Sequence, residues 1–530
     1  MKKITYILFS FFMLTVPLFS QSEIDALRFS REDLYGTARA MSMGGAFGAL
    51  GGDLTGVSIN PAGIAVYRSS EVAGTMNWMK EGSVVGDIKS NKTSFNLDNI
   101  GFVGYFPLRN DVMPLINFGF TYNRSKSFDK NVLGVGDSQG TLVDYIYNDY
   151  QANLSSGNIK SPDDLVWIKD KYDPFLSQPW LPVLGRNAFL LHPDQSGTNL
   201  VPLDTRGDIP VGQIETYERG YIDNYDFTVG TTLNNVLNLG VSLSVKNVYY
   251  SLVSHYLEDF YDGDVHNGGY TLNNEMTVKG AGVGAKIGAI YRPVNSLRIG
   301  LAWHTPTWYA LSETYGAEMK EDIKYYLPSH VDYEEGGFGS AVFQNDYDLK
   351  TPGKIVASVA TVLGSSFIAS LDYELVDYSK MKLRLPSNSL DDPTWYDGHN
   401  DIISQDHKLA STVKVGMEYR FTPQFSGRLG YAWMQNPYHA DLVEFGNAVV
   451  AGSSTIHRIE GDTHYYTGGL GYRFNRNFYL DMAIVYKTQK DDLYPFPNFY
   501  SSNGTLEVDA APFSLKNNSV RGLLTLGYRF

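Results

Sequence analysis

The chain has 530 residues, no cysteine, and 57 acidic residues against 43 lysines and arginines, which gives a formal net charge of −14. An acidic chain is a poor match for the polyanionic backbone of nucleic acid, so we expect no nucleic-acid partner. Without cysteine it can form neither disulfides nor thiolate metal sites, and it cannot carry a lipid anchor on cysteine. Its 38 tyrosines and 52 glycines favour many strands joined by turns.

Residues 1–20 have the pattern of a secretory signal peptide. Lys2 and Lys3 precede an apolar run that ends at Leu18, and Ser20 is a small residue before the expected cleavage point. After this segment, no apolar run approaches the roughly 18 to 20 residues that a membrane-spanning helix requires. Because backbone polar groups must be satisfied inside a membrane, the remaining way to cross it is a closed β-barrel.

Residues 21–70 form a second predicted unit, a hatch that plugs the barrel. Residues 36–67 are rich in glycine and alanine, nearly uncharged, and end close to an Asn-Pro-Ala tripeptide. Glycine permits left-handed backbone and close approach of segments, so this stretch can fold where larger side chains would not fit. The hatch or gate residues that we select are Gly44, Gly45, Gly48, Asn60, Pro61 and Ala62.

Residues 71–530 predict an all-β unit, a 14-stranded antiparallel transmembrane barrel. In residues 413–421, alternate apolar side chains oppose a face with Lys414, Glu418 and Arg420, as expected where one face meets lipid and the other a wet lumen. Similar alternation places the strands at residues 71–80, 95–107, 112–124, 222–234, 236–253, 271–292, 296–310, 343–363, 366–384, 409–421, 424–436, 461–474, 477–489 and 516–530.

The connections between these strands alternate in length. Those after even-numbered strands are short, whereas those after odd-numbered strands are long, at residues 81–94, 125–221, 254–270, 311–342, 385–408, 437–460 and 490–515. Short periplasmic turns and long outer loops are typical of a barrel in the outer membrane of a Gram-negative bacterium. The last strand ends on Phe530 and resembles the terminal signature that bacterial barrel-assembly machinery reads, which predicts that machinery as a partner.

Three stretches carry a resemblance to a known family. They are the glycine-rich hatch with Asn60-Pro61-Ala62, the hairpin GAIYRPVNSLRIGLAWHTP, and the hairpin VGMEYRFTPQFSGRLGYAWMQNP. Together with fourteen strands, the chain resembles the FadL-type long-chain fatty acid transporters over nearly its whole mature length. The resemblance implies that outer loops capture a hydrophobic molecule, that it is held above the hatch, and that it leaves sideways into the membrane. The family kinks its third strand to open the wall, and here that strand has only Pro114 near its start.

Two sets of residues are candidates for ligand contact. An apolar cluster in the longest outer loop either packs onto the barrel rim or forms a capture groove; its members are Phe175, Leu176, Trp180, Leu181 and Leu184. A fatty-acid carboxylate needs cations, and Lys246, Lys286 and Lys414 lie near the middle of predicted strands on the lumen face. Other lumen charges are expected to pair with acidic residues.

Other chemistries are weaker fits to the sequence. The acidic stretch around Asp259 to Asp264 suits either a solvated loop or calcium, and the ten histidines lack metal spacing, so we expect no cofactor or transition metal. No nucleophile-elbow motif occurs, and an enzyme is not expected. The alternatives are a FadL-like barrel that serves protein secretion or surface attachment, or a porter of haem or aromatic hydrocarbons. The expected partners are a hydrophobic ligand and membrane lipid, and a monomer is favoured.

Overall fold

The computed structural model describes residues 22–530 except 138–139, 206, 323–335, 365, 391, 447, 450–451 and 502. The predicted signal peptide lies outside the described residues. Four short helical elements come first: α1 (Glu23–Ser30), α2 (Ala38–Ser42), α3 (Leu54–Ile59) and a 3-10 helix (Pro61–Val66). Each begins at a residue whose side chain accepts a backbone hydrogen bond, namely Ser22, Thr37, Asp53 and Asn60.

Fourteen antiparallel strands follow and close into a barrel. Each strand pairs with the next, and the last pairs with the first from Glu71↔Arg529 to Val85↔Leu515. They are β1 (Glu71–Val85), β2 (Ile88–Pro107), β3 (Leu115–Ser127), β4 (Ile209–Leu233), β5 (Leu237–Asp262), β6 (Val265–Val294), β7 (Leu297–His304 and Trp308–Asp322), β8 (Phe343–Lys350 and Lys354–Leu363), β9 (Phe367–Asp377), β10 (Leu409–Arg420), β11 (Phe425–Met434), β12 (His457–Arg473), β13 (Phe478–Tyr494) and β14 (Phe513–Arg529). The predicted fold class and strand count are confirmed.

The predicted faces of the wall are also confirmed. On β7, Leu301 is 58% exposed on the outside, whereas Gly300 and Ala302 are buried on the inside. On β10, Met417 is 46% exposed while Glu418 is 3% exposed. Since the exposed side chains face lipid and the charged ones face the lumen, the alternation arises from the membrane as solvent.

Two connections that were predicted as loops are paired strand instead. The hairpin of β1 and β2 turns at Gly86, and that of β5 and β6 turns at Gly263, with φ of +56° and +61°. β6 reaches 30 residues, although a spanning strand needs only about 9 to 11. Outside the lipid neither face must be apolar, so the alternation ends while the backbone ladder continues.

β7 and β8 are interrupted where continuous strands were predicted. The breaks contain Pro306 and Pro352, which cannot donate to a ladder. The two strands stay joined there because the Thr307 amide donates to the Thr351 Oγ1 at 2.9 Å and the Thr351 amide donates to the Thr307 carbonyl at 3.0 Å.

The outer segments form a packed cap over one end of the barrel. The longest continues from β3 as a strand (Lys130–Asp137) and contains α4 (Leu142–Ser156) and α5 (Trp180–Asn187), while α6 (Asp397–Asp406) and α7 (Ala440–Phe445) come from later segments. The longest outer segment also contains a 3-10 helix of four residues, Pro162–Leu165. In the described part of the chain, no helix is long and apolar enough to cross a membrane.

Phe530 lies where the barrel closes. Its amide donates to the Ser70 carbonyl at 3.0 Å, the Ser70 amide donates back at 3.1 Å, and its ring stacks on Phe102 with centroids 6.4 Å apart. We expect deletion of Phe530 to lower the amount of folded barrel in the outer membrane, both by losing this closure and by removing the predicted assembly signal. The gel shift of the folded barrel on heating measures the yield. Phe530→Tyr, which keeps a terminal aromatic ring, is the control; equal yield from the deletion would contradict the prediction.

Candidate functional site

The hatch is enclosed by a belt of wall glycines. A Cβ added to any of them would come within 3.1 Å of a hatch atom; they lie on nine strands at Gly101, Gly119, Gly230, Gly240, Gly288, Gly300, Gly416, Gly430 and Gly469. The hatch, by backbone or side-chain atoms, therefore approaches the wall at distances that only glycine allows. Residues 36–67 do lie inside the barrel as predicted.

Asn60 joins two parts of the hatch to each other and to the wall. Its amide nitrogen donates to the Gly48 carbonyl at 2.8 Å and the Ala289 carbonyl at 3.2 Å, while its Oδ1 accepts from the Ala62 amide at 3.1 Å. Pro61 occupies the first position of the following 3-10 helix, where its missing N–H costs nothing. The Asn-Pro-Ala tripeptide thus has a structural role in this state of the molecule.

The selected glycines of the hatch contact wall side chains directly. The Gly44 amide donates to Thr467 Oγ1 at 3.0 Å and the Gly48 amide donates to Asp372 Oδ2 at 2.8 Å. Gly44 and Gly45 have φ of +64° and +73°, a region that other residues rarely adopt. These hydrogen bonds attach the two amides to two different strands of the wall, β12 and β9.

Wall side chains also donate to hatch carbonyls. Arg298 donates to the Leu50 carbonyl at 2.5 Å and Asn117 donates to the Ile64 carbonyl at 2.8 Å. His304 Nε2 lies 2.8 Å from the Ile59 carbonyl. Because buried backbone groups need partners, these contacts fix the hatch in one position.

Each of the three predicted lumen lysines is paired with a carboxylate. Lys286 lies 2.8 Å from Asp226, and Lys414 lies 2.6 Å from Glu374. Lys246 lies 2.6 Å from Glu32, which also contacts Lys354 at 2.9 Å. The predicted pairing of lumen charges is therefore present, and one of the carboxylates belongs to the N-terminal segment rather than to the wall.

Glu32 lies in the short segment between α1 and α2, next to a cavity of about 160 Å³. Burial disfavours its charge, but the ammonium groups of Lys246 and Lys354 outweigh this and hold the pKa of Glu32 well below its usual value. The cavity is also lined by Leu34, Met41, Ile59 and Met434. Charged groups and a small number of apolar side chains thus line the same space.

The predicted capture cluster is mostly buried within the outer cap. Phe175, Trp180, Leu181 and Leu184 are at most 3% exposed, and the Trp180 ring packs 4.8 Å from Tyr315 of β7. Leu176 is 59% exposed. In this state the cluster serves as packing between the longest outer segment and the wall, with Leu176 on the surface.

Among the described residues, no group of three or more His, Cys, Asp or Glu side chains is arranged to hold a metal. In the acidic hairpin considered for calcium, His266 Nε2 lies 2.9 Å from Asp259.

Comparison with known proteins identifies the family. The family model for outer membrane protein transport proteins (OMPP1/FadL/TodX) matches residues 224–511, more than half of the chain. The chain belongs to the FadL/TodX family. It is thus an outer membrane transport protein, located in the outer membrane of a Gram-negative cell.

Solved structures of the FadL/TodX type share the fold at low sequence identity. A Pseudomonas aeruginosa FadL homologue is 13% identical with a TM-score of 0.53, and the match covers 94% of this chain and 99% of that one. The Ralstonia pickettii toluene transporter TbuX is 14% identical with a TM-score of 0.48 over the same shares. A search of curated proteins finds no match.

The third strand differs from what the FadL resemblance implies. Pro114 lies in the turn before β3, and Leu115–Ser127 is one strand whose pairing with β4 has a single register shift, between Arg124 and Lys126. However, the ladder between β2 and β3 ends at Asn99↔Asn123, above which β2 pairs with β1. Beyond that point side chains bridge the two strands, because Tyr122 donates to the Leu97 carbonyl at 3.4 Å and Arg124 donates to Asn96 Oδ1 at 2.8 Å.

We call these contacts the side-chain seam, which consists of Asn96 and Leu97 on β2 and Tyr122 and Arg124 on β3. The seam adjoins the cavity next to Glu32, since Arg124 belongs to the seam and also lines the cavity. Sequence reasoning missed the seam, Lys354 and the belt glycines. The belt left a usable signal: glycine recurs at inward positions of successive strands, opposite the glycine-rich hatch.

Proposed function

We propose that the protein carries long-chain fatty acids passively inward across the outer membrane, with capture by the outer cap, gating by the hatch and lateral release through the wall. The observation that carries the proposal is the pair of lysines, Lys246 and Lys354, around the Glu32 carboxylate. Two cations that converge on one carboxylate suit the headgroup of a fatty acid, and the adjoining apolar side chains suit the start of its tail.

The hydrophobic effect explains why such a cargo requires a protein path. Each methylene returned to water loses about 0.8 kcal/mol of favourable burial, so a long tail crosses most readily where it stays out of water. The apolar side chains beside the lysine pair, Leu34, Met41, Ile59 and Met434, shield the first part of the tail.

Hatch gating is explained by the group that the cargo displaces, the Glu32 carboxylate. Glu32 is part of the same N-terminal segment as the hatch, so a cargo carboxylate that takes its place on Lys246 and Lys354 removes one anchor of that segment. Asp33, held by Lys487 at 3.0 Å and by the Tyr465 hydroxyl at 2.6 Å, is the next anchor. Loss of the contact between Glu32 and the two lysines weakens the restraint on the hatch. The fraction of molecules affected equals the fraction in which cargo occupies the lysines.

Lateral release is supported by the side-chain seam. Side-chain contacts between Tyr122, Arg124 and β2 can open without breaking a backbone ladder, and the seam adjoins the cavity that holds the proposed headgroup. The exposed Phe95 and Leu97 on β2 offer an apolar outer edge.

We call Lys246 and Lys354 around Glu32 the lysine clamp. Substitution of its lysines and substitution of Glu32 should have opposite effects on uptake. Lys246→Gln with Lys354→Gln should lower uptake of radiolabelled oleate by about tenfold, because a charged hydrogen bond typically contributes 1.5 to 3 kcal/mol. Glu32→Gln should instead increase uptake at low oleate concentration, since the cargo no longer competes with an internal carboxylate. Whole-cell uptake, normalised to folded barrel, measures both.

Lys279→Gln is the matched control, because this exposed lysine contacts the Tyr249 ring and lies away from the clamp. Uptake of toluene tests the class of cargo. Loss of toluene uptake with unchanged oleate uptake in the lysine variant would contradict the fatty-acid proposal.

A further inference from the structure

A second cavity lies at the end of the barrel with the short turns. It has a volume of about 450 Å³, larger than the cavity next to Glu32. Gly51 and Gly52 of the hatch form part of its lining, together with Ser69 before β1 and Pro423 and Gln424 in the turn between β10 and β11. Because short turns face the periplasm in this class of barrel, we refer to this cavity as the periplasmic vestibule.

Positive charge is concentrated in the periplasmic vestibule, although the chain as a whole is acidic. Seven arginines and three carboxylates line it, and it contains no lysine. Two of the carboxylates are ion-paired: Glu418 pairs with Arg39 at 3.0 Å and Arg428 at 2.7 Å, and Asp481 pairs with Arg428 at 2.6 Å. The third, Asp53, accepts from the Thr37 hydroxyl at 2.8 Å. The remaining positive charge is therefore not neutralised within the lining.

Three of these arginines have no carboxylate partner in the part of the chain that the structure describes, namely Arg68, Arg298 and Arg473. Arg298 donates to the Leu50 carbonyl at 2.5 Å, and Arg68 donates to the Ala65 carbonyl at 2.7 Å. Burial and the neighbouring Arg292 lower the pKa of Arg68, as expected for a cation among cations.

We propose that the periplasmic vestibule binds an oxyanion, a carboxylate or a phosphate group, and that this binding loosens the hatch. Arginine forms planar, paired hydrogen bonds with both groups. Arg298 of β7 holds the hatch through the neutral Leu50 carbonyl oxygen, and an ionised oxygen is a stronger acceptor than a carbonyl. An anion that enters from the periplasm therefore draws the Arg298 guanidinium group from the Leu50 carbonyl, and Arg68, which in the described part of the chain donates only to backbone carbonyls of its own segment, can turn toward the same anion. This site is separate from the lysine clamp, and it goes beyond the proposed cargo.

The absence of cysteine allows a specific reporter of hatch release. Ser42 of α2 is fully buried against the wall, and its hydroxyl donates to the Arg39 carbonyl at 2.8 Å. In purified full-length Ser42→Cys protein, the rate of maleimide labelling reports exposure of the hatch. Sodium phosphate and sodium octanoate are compared with sodium chloride at equal ionic strength. Whichever of the two anions accelerates labelling more identifies the source of the oxyanion, a phosphate or a carboxylate.

We expect phosphate or octanoate to accelerate labelling about tenfold. Arg298→Gln with Arg473→Gln should label faster without any anion and should not respond to either one. Arg476→Gln, in the turn between β12 and β13 outside the vestibule lining, should behave like the parent protein.

Equal labelling rates in phosphate, octanoate and chloride, or the same acceleration in the Arg298 and Arg473 variant, would overturn the proposal. A second measurement does not depend on the reporter: crystals of the unmodified protein soaked in selenate should show an anomalous peak within the vestibule, and its absence would also overturn the proposal. Neither experiment involves transport, so failure here leaves the fatty-acid proposal unaffected.

Discussion

Replacement of Gly300 by valine should unseat the hatch while the barrel still closes. A Cβ at Gly300 would lie 2.6 Å from the Gly48 carbonyl oxygen and 3.1 Å from the Ala49 Cα, and both are backbone atoms that cannot rotate away. Overpacking of this kind typically costs about 1 to 3 kcal/mol, and here the easiest relief is movement of the hatch. Limited proteolysis should then cleave residues 21–70 in the variant, and a small polar dye should enter the cells faster.

Gly522→Val is the matched control for this experiment. Gly522 lies on β14, where an added Cβ would meet nothing within 4 Å. The control should keep the hatch protected and the dye excluded. A Gly300 variant with a protease-resistant hatch and unchanged dye entry would show that the glycine belt does not determine hatch seating.

A disulfide between hatch and wall should stop transport. A Cβ at Gly48 would lie 3.2 Å from the Ser358 Cβ of β8, a few tenths of an ångström closer than in most disulfides, so a small shift allows Gly48→Cys and Ser358→Cys to bond. No other cysteine is present to compete. Oxidised cells should take up radiolabelled oleate no faster than cells without the protein, and reduction should restore uptake.

Each single-cysteine variant should retain uptake under both conditions, which separates the effect of the bond from that of the substitutions. Undiminished uptake by the fully oxidised double variant would show that the hatch does not need to move at Gly48, and gating would then have to be rejected.

Lipid contact made the wall predictable from sequence. Ile299, Leu301 and Trp303 alternate with inward residues because one face of β7 meets hydrocarbon, and this period can be read without any partner strand. The hairpins beyond Lys80 and Val253 escaped prediction for the same reason, since outside the membrane no solvent imposes the alternation.

The contacts of the hatch could not be predicted in the same way. The sequence marks Gly48 and Asn60 as unusual, but their partners Asp372 and Ala289 lie hundreds of residues away and depend on barrel register. The capture cluster shows a second limit, because an apolar run on an outer segment has the same composition whether it lines a groove or packs like Trp180. Only part of the lysine clamp could be predicted. The position of Lys246 follows from the alternation of its strand, whereas the position of Glu32 depends on the path of the N-terminal segment through the barrel.

The most direct test of the account is uptake of radiolabelled oleate by cells in which the gene is deleted, with and without a plasmid that restores the protein. We predict that uptake falls on deletion and returns with the parent chain, but not with the oxidised Gly48→Cys and Ser358→Cys variant. Unchanged oleate uptake on deletion, with folded barrel confirmed in the parent outer membrane, would contradict the assignment of fatty acid as cargo.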